Sequence, residues 1–310
     1  MRRSVVQPPV PRTVDWIMVA GLGLIWGSTF LGIELALRGV TPFWLTAFRI
    51  GFAALLMGAV QIYRGRRLML EAGAKIPWHA LAWAGALSSA VPFMLISWSQ
   101  QFVSSGFVGV SMAAVALMVL PTAHFLIPGE QMSWRKSLAF VIGFLGVALL
   151  IGGQAFESTG SSLQLAGRLA ALSAAACYAV SSVMLRRLAA MDPIMLAGAL
   201  LYIGALIVLP VAWIVEGPPP LPPPDTLLVL ALLALLPTAG ANLLRVLVIR
   251  AAGPSFMSLT NYQVPLWSVF LGAVLLGEPL PSTMLVAMAL ILCGVALSQY
   301  QALRQLRARK

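Results

Sequence analysis

Residues 193–215 read PIMLAGALLYIGALIVLPVAWIV, a run without one charged side chain. A helix crossing the hydrocarbon of a bilayer needs roughly 20 predominantly apolar residues, and this run meets that length by itself. Nine similar runs lie around it, near 15–37, 42–63, 79–100, 103–125, 134–152, 166–187, 226–249, 254–276 and 281–303. The spacing predicts ten transmembrane helices joined by short connections. The runs are continuous and lack the short alternating segments of a β-barrel, so the expected class is an all-α polytopic membrane protein. Composition agrees: of 310 residues 60% are hydrophobic and only 9% charged, with a mean hydropathy of +0.93. A soluble domain carries about 25% charged residues.

The formal net charge of +11 would suggest nucleic acid on a soluble protein. In so apolar a chain it marks the cytoplasmic face of a membrane, and no nucleic-acid partner is expected. With the N-terminus inside, Arg2, Arg3, Arg12, Arg64, Arg66, Arg67, Lys75, Arg135, Lys136, Arg186, Arg187, Arg245, Arg250, Arg304, Arg307, Arg309 and Lys310 all fall on the cytoplasmic side. These are 17 of the 20 basic residues, leaving Arg38 and Arg168 outside and Arg49 within a span. The expected orientation is therefore N-in and C-in. The basic N-terminus leads into a long span without a small-residue cleavage site, which reads as a retained helix and not a signal peptide. Cys177 and Cys293 both sit in apolar runs, so no disulfide framework is expected. Residues 218–224, PPPLPPP, read as a stiff polyproline connector.

The chain repeats itself. Leu126-Ile127-Pro128-Gly129-Glu130 precedes a span ending Gly146-Val147-Ala148-Leu149, and Leu275-Leu276-Gly277-Glu278 precedes one ending Gly294-Val295-Ala296-Leu297. Glu130 stands 148 positions before Glu278, and Gly146 the same distance before Gly294. The start of each half matches more loosely, Trp26 with Tyr178 and Pro42 with Pro193, within one residue of register. Five spans are an odd number, so the second copy must run inverted relative to the first. The expected halves are residues 1–155 and 156–310. Inverted repeats characterise secondary transporters, which hold substrate near the midplane between the halves.

The motif Ile25-Trp26-Gly27-Ser28-Thr29-Phe30, Pro42 followed by Ala47-Phe48-Arg49, and the two Gly-Glu pairs with a Gly-rich span after each resemble the ten-span EamA type of the drug/metabolite transporter superfamily. The resemblance covers essentially the whole chain. It implies a multi-pass protein of the cell (inner) membrane that moves small organic metabolites, often amino acids and frequently outward, with the lipid bilayer and a small-molecule substrate as its partners.

Pro92 and Pro237 fall near the middles of spans three and eight, and Pro121 and Pro265 fall in spans four and nine. Each removes a backbone N–H and frees the carbonyl four residues earlier, at Ser88, Leu233, Leu117 and Asn261 respectively. Such interruptions in corresponding positions of two halves point to a transport site, although one such kink could equally shape packing. Asn261, Tyr262 and Gln263 precede Pro265 and offer two amides and a phenol. They, with Asn242, read either as substrate contacts or as interhelical glue. Trp26 and Tyr178 lie at the centres of the first spans of each half and could stack on a substrate or fill the core; Trp98 and Met112 are weaker candidates. Gly23 and Gly27 fit close helix packing.

Arg49 is the one charge well inside a span, and Glu34 is the expected partner of a buried ion pair. The resemblance implies a structural role for it, because the family motif carries an arginine here regardless of substrate. There is no GxxxxGK[ST] loop, no carboxylate at mid-depth and no metal-ligand cluster; His79 and His124 lie near span ends. No metal or cofactor is expected. A membrane-embedded hydrolase would need a histidine near Ser28 or Ser88, and none shares their depth. A pore, or a carrier of sugars, nucleosides or drugs on the same fold, are the other readings.

Overall fold

A computed structural model describes residues 11–63, 77–127, 129–152, 163–187, 191–300 and 304. Among them there is no strand. The chain runs α1 (Thr13–Ala36), α2 (Pro42–Tyr63), α3 (Trp78–Gly85), a π-helical segment (Ala86–Ala90) and α4 (Val91–Ser99). It continues with α5 (Ser105–Leu126), α6 (Trp134–Gly152), α7 (Leu163–Arg187) and α8 (Pro193–Glu216). Then come α9 (Pro224–Leu233), a second π segment (Ala234–Gly240), α10 (Ala241–Ala252), α11 (Pro254–Met257), α12 (Thr260–Leu276) and α13 (Ser282–Ser298).

Seven of the described helical stretches are long and apolar enough to cross a membrane, counting Trp78–Ser99 as one, and Pro224–Gly240 and Ser282–Ser298 are shorter apolar helices. The protein is a multi-pass membrane protein. Its lipid-compatible surface is carried by side chains such as Leu55, Phe125, Leu206, Ile214 and Val274, which point outward. The run expected near 226–249 is broken by the second π segment, and that near 254–276 by a turn between α11 and α12. Pro224 is not part of the connector after α8 but opens α9, where a missing N–H costs nothing. The basic residues expected at 1–10, 64–76 and beyond 304 lie outside the described residues.

Local chemistry sets the helix ends. Ser104 caps α5 by accepting from the Phe107 N–H at 3.2 Å. Asp192 caps α8 through the N–H groups of Ile194 and Met195, with Pro193 at the first helical position. At the end of α12, Gly277 turns left-handed with φ +67°, and the Glu278 N–H donates back to the Gly272 carbonyl. That is the glycine-dependent stop that lets the chain reverse sharply.

α6 lies along α13, α1 along α12, α2 along α8, and α5 along both α7 and α12. The first contact depends on small residues: a Cβ at Gly294 would stand 2.7 Å from the Ala139 carbonyl oxygen, and one at Gly146 would stand 2.9 Å from that of Ala287. Gly27 likewise admits Trp267 and the backbone of α12, as the Gly23/Gly27 spacing predicts. One core joins Phe30, Ile33, Leu45, Ile50, Phe107, Val110 and Ile291 across α1, α2, α5 and α13; a smaller one joins Val19 and Leu22 to α10 and Phe256.

Candidate functional site

Two rods lose regular α-helical bonding, each beside one of the prolines read from the sequence. The Val91 N–H donates to the Ala86 carbonyl and the Ala241 N–H to that of Leu236, each reaching five residues back. Pro92 follows the first of these wide turns and Pro237 lies inside the second. Pro121 and Pro265, by contrast, sit within helices that continue past them.

The second break is repaired by side chains. Pro237 cannot serve the Leu233 carbonyl, and the Thr238 hydroxyl donates to it instead at 2.8 Å. The indole N–H of Trp26 donates to the Pro237 carbonyl at 3.3 Å, and the Asn242 amide donates to that of Thr238. Trp26 has only one donor, so that donor is committed to the backbone.

Arg49 completes this arrangement. It is 5% exposed, and its Nε donates to the Thr238 hydroxyl oxygen at 3.0 Å, while its guanidinium lies 4.2 Å from the centre of the Phe93 ring. Tyr178 is close enough to interact with it electrostatically. The ion pair expected between Glu34 and Arg49 is not formed. Glu34 stands instead among Arg38, Gln100 and Glu278. Similar position along adjacent helices does not put two side chains on facing sides, and tertiary packing turns these two apart. The residues sequence reasoning missed are Phe93 and Thr238. Each directly follows one of the matched prolines, and that shared position was the available signal.

The Asn261–Gln263 trio does not converge. Consecutive helical residues point about 100° apart. Asn261 is exposed, the Tyr262 hydroxyl donates to Gln299 Oε1 at 3.4 Å, and Gln263 packs on Gly23 of α1. Met112 and Tyr178 pack against the main core and Trp26 against the smaller one. The Trp98 ring lies 4.9 Å from that of Phe102, tilted by 59°, near the end of α4.

Two carboxylates at one end of the bundle hold helix starts. Glu278 accepts from the N–H groups of Ser105 at 2.7 Å and Gly106 at 3.0 Å; Glu216 accepts from Phe43 at 3.1 Å and Trp44 at 2.9 Å, and from the Thr41 hydroxyl. Both occupy positions where a helix presents unsatisfied N–H donors and positive potential. Glu130, the sequence counterpart of Glu278, instead meets Arg186 at 3.5 Å and Lys136 at 3.7 Å. Near Thr41, a surface depression of about 360 Å³ is lined by Leu37, Val40, Pro42, Gln101 and Pro220, none of them read from the sequence as a substrate contact.

Apolar rods with outward-facing hydrocarbon, two of them broken at mid-length around a buried arginine, define a multi-pass membrane protein with a polar centre. The sequence profile of the EamA-like transporter family matches residues 16–152 and again residues 165–300, and the chain belongs to that family. It is a transporter of the drug/metabolite type. It is 21% identical over 285 residues to the uncharacterized transporter YoaV of Bacillus subtilis, covering 91% of this chain and 95% of that one. It is 28% identical over 283 residues to the uncharacterized inner membrane transporter YedA of Escherichia coli K12, covering 89% and 87%. A WAT1-related chloroplastic protein of Arabidopsis thaliana is 29% identical over 208 residues, or 66% of this chain; the match spans about half, 49%, of that relative. A solved crystal structure of 22% identity has the same fold, with a TM-score of 0.64 over 95% of this chain and 99% of the other.

Proposed function

We propose that the chain is a secondary transporter that exports small organic metabolites, amino acids or related neutral or zwitterionic compounds, by alternating access. In this reading ten spans form two five-helix halves, residues 1–155 and 156–310, the second inverted relative to the first. Both termini face the cytoplasm, and the membrane is the cell inner membrane, as in the name of YedA. The substrate sits at the junction of the halves, beside Trp26 and Tyr178.

The observation that carries this reading is the polar cluster of Arg49, Thr238 and the two broken rods. Irregular backbone at membrane depth is tolerated where it is buried in protein or lines a water-filled cavity, and transporters built from inverted repeats bind their cargo at such discontinuous helices. Helix contacts support the two-half arrangement because they come in exchanged pairs. α1 lies along α12 as α7 lies along α5, which is the same pairing with the halves swapped, while α2 meets α8 and α6 meets α13.

The test is efflux from proteoliposomes preloaded with labelled amino acids and other small metabolites, with and without a pH gradient. Saturable release of a few amino acids is the expected result. Release no faster than from protein-free liposomes would remove amino acids as cargo. A requirement for the gradient would add proton coupling to the mechanism.

A further inference from the structure

We propose that Arg49 is an anion-binding residue of the transport site, and that it docks a carboxylate of the cargo end-on across Nη1 and Nη2. The assignment of that carboxylate to cargo rests on the transporter reading above; the anion site itself rests on geometry. A guanidinium carries five N–H donors. Among the described residues only Nε of Arg49 has a protein acceptor, Thr238, and no carboxylate pairs with the guanidinium. Nη1 and Nη2 have no acceptor among the described residues and are not completely sealed off, although the side chain as a whole is 5% exposed.

The surroundings hold this fork in one orientation. Thr238 fixes the Nε edge and is itself tied to the Leu233 carbonyl, while the Phe93 ring covers one face of the guanidinium. What remains free is the edge whose two parallel N–H groups match the two oxygens of a carboxylate. A charge this deep in a membrane protein is costly and calls for a counter-ion. Among the described residues none serves as counter-ion, and cargo bearing a carboxylate would do so only while bound. The same reasoning restricts substrates: a site whose buried donors are left unpaired by an analogue rejects that analogue strongly. An amino acid should therefore be favoured over its carboxamide. A phosphate monoester presents the same pair of oxygens with more charge, so it forms a separate arm of the test.

Two measurements are made on purified wild-type protein and on Arg49→Lys, Arg49→Gln and Thr238→Val. The first is thermal stability in detergent with added L-leucine, L-phenylalanine, their carboxamides, and glycerol 3-phosphate. The second is transport of the same compounds in proteoliposomes. The expected result is that the free acids stabilise the wild type and are carried at least tenfold faster than the carboxamides. Arg49→Gln should abolish both preferences, and Arg49→Lys, which keeps the charge and loses the fork, should reduce them about tenfold. If Arg49→Gln is not recovered folded, Arg49→Lys and Thr238→Val decide.

Equal stabilisation by acids and carboxamides, or an unchanged preference in folded Arg49 variants, overturns the proposal. Stabilisation by glycerol 3-phosphate alone overturns the carboxylate assignment. Arginine-dependent stabilisation without transport of any compound would keep the anion site and refute amino-acid export.

Discussion

Replacing Glu278 with Gln tests the meaning of the repeated Gly-Glu pair. The carboxylate accepts from two backbone N–H groups at the start of α5, Ser105 at 2.7 Å and Gly106 at 3.0 Å. Gln is nearly isosteric but carries one acceptor oxygen, and its NH2 group cannot accept. One N–H therefore loses its partner, and the other bond loses its charge. Hydrogen bonds to charged groups contribute about 1.5–3 kcal/mol each, and neutral ones about 1 kcal/mol. The expected loss of stability is roughly 2–4 kcal/mol, combining one lost bond with one weakened bond. The reference is Glu130→Gln, whose wild-type carboxylate is 39% exposed and meets Arg186 and Lys136 only at 3.5 and 3.7 Å. Exposed pairs of that kind contribute about 0–1 kcal/mol. Reversible unfolding of both variants in mixed detergent micelles, followed by circular dichroism, measures the difference. Equal stabilities for the two variants would falsify the claim that Glu278 holds α5 and Glu130 holds no helix.

Thr238→Val should cost about 2–4 kcal/mol in the same unfolding assay, since it strips a partner from both the Leu233 carbonyl and the Arg49 Nε in the core. A loss under about 0.5 kcal/mol would mean that water replaces the hydroxyl. Gly294→Val should prevent recovery of monodisperse protein, because its Cβ would already stand 2.7 Å from the Ala139 carbonyl oxygen with the Gly143 backbone beside it; normal yield on size-exclusion chromatography contradicts the packing described. Tyr178→Ala should lower proteoliposome efflux several-fold while Asn261→Ala, at an exposed position, leaves it unchanged; the reverse pattern would move the proposed pocket to α12.

The long elements were legible because run length is a direct consequence of bilayer thickness. The stretches expected near 42–63 and 134–152 match α2 and α6. The close helix contact at Gly23 and Gly27 was legible from spacing alone. The π segments were not, since nothing but a nearby proline marks where a helix takes in an extra residue. Arg49 could be recognised as exceptional from its charge, but its partner could not. A sequence fixes approximate depth, whereas Thr238 reaches Arg49 only because α2 packs against the second π segment. The span-nine trio does not converge on one site for a simpler reason. Three neighbours on one helix cannot share a direction, and Gln263 is taken up by the contact with α1.

The two wide turns also have a mechanical consequence. A helix interrupted by a π turn behaves as two stiff levers meeting at a compliant joint, because the bonds that resist bending are rearranged there. Arg49 spans both joints: its guanidinium edge is pinned beside Pro237 and its face rests beside Pro92. If either rod swings relative to the other, it must stretch the bond to Thr238 or slide the guanidinium across the Phe93 ring. The arginine thus works as a strain gauge between the levers, and whatever binds its free edge adds stiffness at the point where the two rods would otherwise move independently.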